Sequence, residues 1–336
     1  MPVFGYTRPI HKYKGNAKRM SERETPTRTI TVARNGEGLT VAGYLAARFT
    51  YQNEAEWMGH ILAGRIAHNG GLCAKGTVLR AGDRIAFTPE PYDEPPVNAN
   101  FAILREDADF LFVDKPPLLP CHPSGIYLKN TLVSLLANTY GPLHLINRLD
   151  RETSGIVIAA KTKEAAAQAG ELMRARMIEK EYLVLVEGAF PDRIDASGVL
   201  VTDEASPVRK KLRFIQAPPA SNGEGHAVRT IFTGKGTFAP GVSLVHARLL
   251  TGRTHQIRAT LQSLGYPVVG DKLYGKDPTA FLRFIDGTLT EGDRRSLRLE
   301  NQALHCAHVS FAIPDGASYD VSSNAPDSWR GCARIL

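Results

Sequence analysis

The run Asn147-Arg148-Leu149-Asp150-Arg151-Glu152-Thr153-Ser154-Gly155 sets one aspartate between two arginines. A nearby guanidinium lowers a carboxyl pKa and holds the group ionised. An ionised carboxylate in a half-buried site can act as a nucleophile or as a base. The same residues can equally form a structural Asp–Arg pair that braces a turn, and the residue types alone leave both readings open. Other chemistries lack their residues. His144, His255 and His305 do not fall at a His-Glu-x-x-His spacing, and the chain contains no Gly-x-x-x-x-Gly-Lys-Thr, Gly-x-Gly-x-x-Gly or Gly-x-Ser-x-Gly. Nucleotide hydrolysis, dinucleotide binding and serine-hydrolase chemistry are therefore without their usual supports. Cys73, Cys121, Cys306 and Cys332 are far apart with no Cys-x-x-Cys. That argues against disulfides and a zinc site, and for the reducing cytoplasm.

Two apolar segments must hold the charged turn. Ile156 to Ala160 is almost wholly apolar and reads as a buried strand. Before the turn, Leu143, Leu145 and Leu149 alternate as on a half-exposed strand, which points Leu149 inward and sends Arg148 and Asp150 to the other side together. Thr162 to about Ile178 reads as a helix capped by Thr162, and Thr131 to Tyr140 as a shorter one. Phe110 to Lys115, Glu181 to Gly188, Ser243 to Leu250 and the segment 301–312 read as strands, while residues 189–240 are richer in turns. In Thr251 to Gly265, Thr254 is a plausible N-cap, Ile257, Leu261 and Leu264 share one helical face, and Arg258 leaves that face toward a cleft. Strands outnumber helices and do not alternate regularly with them, so the expected class is α+β with a mixed, largely antiparallel sheet.

At 336 residues, with 43% hydrophobic and 22% charged residues, the chain has globular composition and room for roughly two domains. It contains no run of about 18 apolar residues and no N-terminal apolar region of a secretory signal, so neither a membrane nor export is expected. The net charge is +7, and +5 of it lies in residues 1–29, where seven basic residues face two acidic ones. A basic tail on a near-neutral body is a nucleic-acid footprint or a solvated terminus. Pro and Gly break its periodicity, and no secondary structure is expected there. The organisation read from these features is a basic flexible tail at 1–29, a small module at 30–90, a Pro-rich linker at 91–99 and a large domain at 100–336. Arg209-Lys210-Lys211 with Arg213 is a basic run that can be solvated or can touch phosphate.

Within 30–90 the order is two helices, Gly64-Arg65-Ile66, an Asn69-Gly70 turn and Gly82-Asp83-Arg84-Ile85. This order resembles the alpha-L RNA-binding motif. The start of the second helix carries Gln52, Asn53, Glu54 and Glu56, where members of that family often carry Arg or Lys. Downstream, Asn147-Arg148-Leu149-Asp150-x-x-Thr153-Ser154-Gly155 with Lys161 resembles the signature of the RluA-type pseudouridine synthases. Four further blocks agree in order. They are Asp114-Lys115-Pro116 with Cys121-His122-Pro123; Lys180-Glu181-Tyr182 with Gly188; Thr251-Gly252-Arg253-Thr254-His255-Gln256-Ile257-Arg258; and Gly265-Tyr266-Pro267 with Gly270-Asp271 and Tyr274-Gly275. Together they cover about 100–312.

The resemblance implies a pseudouridine synthase fold and an isomerase that turns a uridine of structured RNA, ribosomal more than transfer RNA, into pseudouridine without cofactor or metal. The target base must leave its stack to be reached. Asp150 would start glycosidic cleavage, by attacking the sugar or by taking its 2′ proton. Arg148 would fill the gap left by the flipped base, Arg258 would keep Asp150 ionised, and Tyr182 would stack on the uracil and take the C5 proton. Ile257 would line the base pocket, and Arg253, His255, Gln256 and Lys115 would contact RNA. A monomer is expected. The competing readings are a catalytically idle RNA-binding or ribosome-assembly factor on the same fold, and a metal-dependent nuclease, for which no clustered acidic ligands are found.

Overall fold

The computed structural model describes residues 11–12, 27–49, 52–90, 92–208, 210–217, 225–314 and 316–334. Tyr6, Tyr13, Arg209 and most of the basic N-terminal segment lie outside the described residues. The described chain divides into two compact units. The smaller falls within residues 17–94, and the larger combines β1 (His11–Lys12) with residues from 95 onward.

The smaller unit is a four-stranded sheet with two helices. Its elements are β2 (Arg28–Thr31), α1 (Val41–Arg48), α2 (Glu54–Leu62), β3 (Ile66–His68), β4 (Gly71–Leu72) and β5 (Arg84–Phe87), in sheet order β2-β5-β3-β4. Thr40 caps α1 by accepting from the Gly43 N–H at 3.1 Å. Asn53 and Glu56 form a reciprocal capping box on α2, worth about 1 kcal/mol. Asn69 and Gly70 both take positive φ, as a two-residue hairpin requires. Asp83 locks that hairpin by accepting from the Arg80 N–H, Asn69 Nδ2 and His68 Nε2. Trp57, Leu45, Ile66, Leu79 and Ile85 fill the core.

The larger unit is built on one 12-stranded sheet. Its elements run β6 (Ala102–Glu106), β7 (Phe110–Lys115), α3 (Leu132–Tyr140), β8 (His144–Leu145), β9 (Ser154–Ala160), α4 (Lys163–Arg174), β10 (Glu179–Glu187), β11 (Arg193–Thr202), β12 (Leu212–Gln216), β13 (His226–Ala239), β14 (Val242–Leu249), α5 (Gln256–Ser263), α6 (Ala280–Ile285), α7 (Glu291–Leu297), β15 (Leu304–Ala312) and β16 (Ser318–Ser322). The main path is β1-β6-β7-β9-β15-β10-β14-β13-β11-β12, with β8 on β9 and β16 on β15. Only the β9–β15 pair is parallel among the described strands. The mixed, largely antiparallel α+β architecture is as expected.

Strand β9 is buried along its whole length, which is why it is apolar from Gly155 onward. Gly155 has a steric reason to be glycine. It sits at φ 106°, and a Cβ there would lie 2.3 Å from the backbone oxygen of Cys306 on β15.

Several expectations change. Residues 189–240 hold three strands, β11 to β13, whose half-exposed faces mix polar residues and glycine into the pattern. The first 29 residues include two strand segments, at His11–Lys12 and from Arg28 on. Helix α4 ends at Arg174, because Arg176 takes a left-handed φ of 60° and the Met177 N–H turns back to the Leu172 carbonyl. The residue that starts α5 is His255, also left-handed, and not Thr254.

Candidate active site

Between β8 and β9 the chain loops through residues 146–153, and three buried residues pin that loop. Asn147 mimics a strand neighbour of β9: its Nδ2 donates to the Ile156 carbonyl at 3.0 Å and its Oδ1 accepts from the Ile158 N–H at 2.8 Å. Leu149 is buried, and its N–H donates to Cys121 Sγ. Lys115, wholly buried, donates from Nζ to the carbonyls of Pro116, Leu119 and Arg151. With Leu149 anchored inward, Arg148 and Asp150 face a cleft of about 1290 Å³. The alternation read from the sequence is present, although residues 148–150 are not in a strand.

Arg258 reaches this loop from the first turn of α5. Its Nη1 donates to Asp150 Oδ2 at 2.7 Å. Its Nε and Nη2 form a bidentate pair with Asp271, at 2.6 and 2.9 Å. Asp271 is in turn fixed by the backbone N–H groups of Leu273 and Tyr274, both 2.9 Å from Oδ1. The guanidinium is thus immobilised from behind and presents one edge to Asp150.

Burial works to raise the Asp150 pKa. The Arg258 charge, His255 and hydrogen bonds from Arg258 and Gln302 outweigh it and hold the carboxyl below its ordinary 3.8. Its side chain keeps 30% of its surface exposed through the cleft. Arg258 occupies Oδ2.

His255 faces the other oxygen, with Nε2 3.9 Å from Oδ1. The Tyr274 hydroxyl accepts from the Leu212 N–H at 3.1 Å, so its own hydrogen is available to His255 Nδ1, 3.0 Å away. With Tyr274 donating to Nδ1, the imidazole proton sits on Nε2, facing Asp150. Burial, and then the Arg258 charge, lower the His255 pKa to about 4, so the ring is neutral near pH 7.

Tyr182, on β10, lines the cleft and is buried to 6% exposure. Burial and the neighbouring Cys306 thiol push its pKa well above 10. It stays a phenol at neutral pH, able to stack but a poor proton acceptor.

The cleft lining contains nine lysines and arginines against two carboxylates, Asp150 and Glu152. Such an imbalance in a concave surface suits a polyanion. Arg148 and Arg253 lie exposed along it. Among the described residues, no group of three or more His, Cys, Asp or Glu side chains is placed to hold a metal ion, and no helix is long and apolar enough to cross a membrane.

The structure therefore brings together Asp150, Arg258, Tyr182, Arg148, Arg253 and His255. Three of the expected RNA contacts do not line the cleft. Lys115 spends its ammonium on three carbonyls behind the loop. Gln256 is buried and closes the 251–255 turn, its Oε1 accepting from Thr251 Oγ1 and the Arg253 N–H, its Nε2 donating to the Arg229 carbonyl and Thr230 Oγ1. Ile257 is 4% exposed and belongs to the core, because the apolar face it shares with Leu261 packs inward. From the basic run, Lys210 reaches the cleft wall, whereas Lys211 is buried 3.5 Å from Asp203. Sequence reading assigned no role to Asp271, Tyr274 or Gln302. The block that holds Gly270-Asp271 and Tyr274-Gly275 marks the first two; Gln302 carries no local signal.

The family described as RNA pseudouridylate synthase matches residues 109–263. The mitochondrial tRNA pseudouridine(32) synthase of Saccharomyces cerevisiae is 35% identical over 210 residues, 60% of this chain and 43% of the yeast protein. The ribosomal large subunit pseudouridine synthase D of Zymomonas mobilis is 27% identical over 329 residues, 93% of this chain and 98% of that protein. Among solved structures, human RNA pseudouridylate synthase domain containing 1 superposes with a TM-score of 0.53 at 25% identity, covering 70% of this chain and 87% of the human one. The chain spans less than half the length of several curated relatives it matches. In sequence over residues 109–263 and in fold, the chain is similar to the RNA pseudouridylate synthases.

Proposed function

We propose that this protein isomerises uridine in structured RNA to pseudouridine. The observation that carries the reading is the Asp150 carboxylate, held ionised by a guanidinium that Asp271 fixes from behind and 30% exposed in a cleft lined by cations. The isomerisation breaks C1′–N1 and forms C1′–C5; C5 loses a proton and N1 gains one. It is redox-neutral and calls for no cofactor. Asp150 initiates cleavage, at C1′ or at the 2′ position, and both routes fit an ionised carboxylate that is open to the cleft. Arg258 keeps that carboxylate charged and oriented. Tyr182 supplies a stacking face for the flipped base, and its high pKa argues against its taking the C5 proton. Arg148, exposed beside Asp150, is positioned to occupy the gap the base leaves.

Ribosomal RNA is the favoured substrate because the end-to-end match, which includes the small unit, is to a ribosomal large subunit enzyme, whereas the tRNA enzyme matches over 60% of this chain. The small unit is read as an alpha-L-type RNA-binding module, with phosphate contact away from the acidic first turn of α2. Four buried, free cysteines support the cytoplasm as the working compartment. The test is D150N on unmodified ribosomal and transfer RNA transcripts. The wild type forms pseudouridine at defined sites, ribosomal transcripts first. The variant loses about 10³-fold or more in rate while RNA affinity stays within about threefold. A wild-type protein that binds the transcripts and forms no pseudouridine would instead support the idle RNA-binding factor.

A further inference from the structure

Among the described residues, four lysines are buried in the larger unit: Lys115, Lys180, Lys211 and Lys272. Three have oxygen partners. Lys115 is held by three carbonyls, Lys211 lies 3.5 Å from Asp203, and Lys272 donates to Glu152 at 2.8 Å and to the Glu300 carbonyl. Lys180 differs. Its only hydrogen-bond neighbour among the described residues is Met173 Sδ, at 3.1 Å, and no carboxylate lies within ion-pair distance. It is 9% exposed, and that surface opens into the cleft. Burying an ammonium without a counter-charge is unfavourable, and a thioether is a weak acceptor.

Strand β10 alternates in burial, so Lys180 and Tyr182 share one face, two residues apart. Beyond Lys180 lies Gly252. A Cβ at that position would stand 3.8 Å from the ammonium, so glycine leaves the approach from that side open. Arg174, at the end of α4, and Arg176, just after it, line the same cleft.

The geometry points to Lys180 as the seat of an RNA phosphate, the internal counter-charge being supplied by substrate. This assignment rests on the reading of the protein as an RNA uridine isomerase, since a flipped nucleotide carries its phosphodiester toward the cleft with it. A uracil carbonyl is a poorer match, because a neutral acceptor leaves the buried charge uncompensated. Burial lowers the Lys180 pKa, and an arriving phosphate would restore it.

The experiment measures affinity of the full-length wild type, K180M and K180Q for an unmodified ribosomal RNA transcript between 50 and 200 mM KCl, about the range over which phosphate contacts are read. A lost phosphate contact makes the log Kd against log salt slope shallower by about one. Both variants should show this, with several-fold weaker binding at the lowest salt. Methionine keeps the buried stem, and thermal melts monitor folding; glutamine answers the same question if methionine does not fold. A wild-type slope in the folded variants, whatever happens to turnover, would overturn the assignment. Because the readout is binding, a wild-type protein that forms no pseudouridine would sink the isomerase reading while leaving the slope comparison interpretable.

Discussion

Two arginines in this protein each bridge two aspartates. Arg258 is bidentate to Asp271 and makes one bond to Asp150. Arg283, on α6, is bidentate to Asp293 and bonds Asp277. The bonding pattern is the same, but the settings differ. Arg258 is 8% exposed and Asp271 is fully buried, whereas Arg283 and Asp277 are 30% and 42% exposed. The other contacts of the carboxylates differ too. Asp277 Oδ1 is taken by the Thr279 N–H and hydroxyl, and Asp293 also closes the capping box of α7 with Thr290. Asp150 instead opens to the cleft and faces a neutral imidazole. One constellation fastens two short helices, and the other prepares a carboxylate for chemistry. The difference lies in what the carboxylate faces and how much water surrounds the charges.

Substituting the two arginines alike should separate the settings most. R258M is expected to lower pseudouridine formation by about 10²–10³-fold, the range for losing an oriented electrostatic partner. R283M should keep the wild-type rate within about twofold. Equal turnover in both variants would show that the cleft clamp has no catalytic part. The second aspartates come next. D271N leaves Arg258 short of a buried counter-charge and should cost roughly 3 kcal/mol in urea unfolding. D293N should lower the melting temperature only slightly, because solvent screens that cluster.

Comparable in size to the D271N loss is a pH dependence. His255 has a folded pKa of about 4 against 6.5 in water. Between those values the unfolded chain binds a proton and the folded chain does not. Stability is therefore complete above about pH 6.5 and falls as pH drops toward 4, by up to about 3 kcal/mol for this one group. Asp150, with its pKa depressed, stays ionised through that window. H255N should flatten the decline between pH 6.5 and 4 without changing stability at pH 8 by a comparable amount. An unchanged slope would mean that the ring charges freely in the folded state.

Much of the frame was legible in the chain. The apolar run Ile156–Ala160 is a buried strand, Thr162 caps its helix, and Asn69-Gly70 turns a hairpin. These features are local, so backbone preference and short-range hydrogen bonds decide them. Strands β11 to β13 were missed because half-exposed strands dilute the apolar pattern. Thr254 was misread as a cap because a left-handed residue at His255 leaves no mark beyond its type. Lys115, Gln256 and Ile257 sit in the matched blocks, yet their side chains turn away from the cleft.

The sequence by itself determined that Asp150 stands in a charged turn ahead of a buried strand, and that Leu149 separates it from Arg148 on the inward side. These follow from residue types a few positions apart. The family resemblance already pairs Arg258, 108 residues away, with Asp150; only the tertiary structure decided that Asp271 holds Arg258 there and that Lys180 is the buried lysine left without an oxygen partner among the described residues. Direction and partnership of a long side chain depend on what the sheet brings alongside it. Covalent neighbours cannot encode that, and the free energy of burying a charge is fixed only when those neighbours in space are in place.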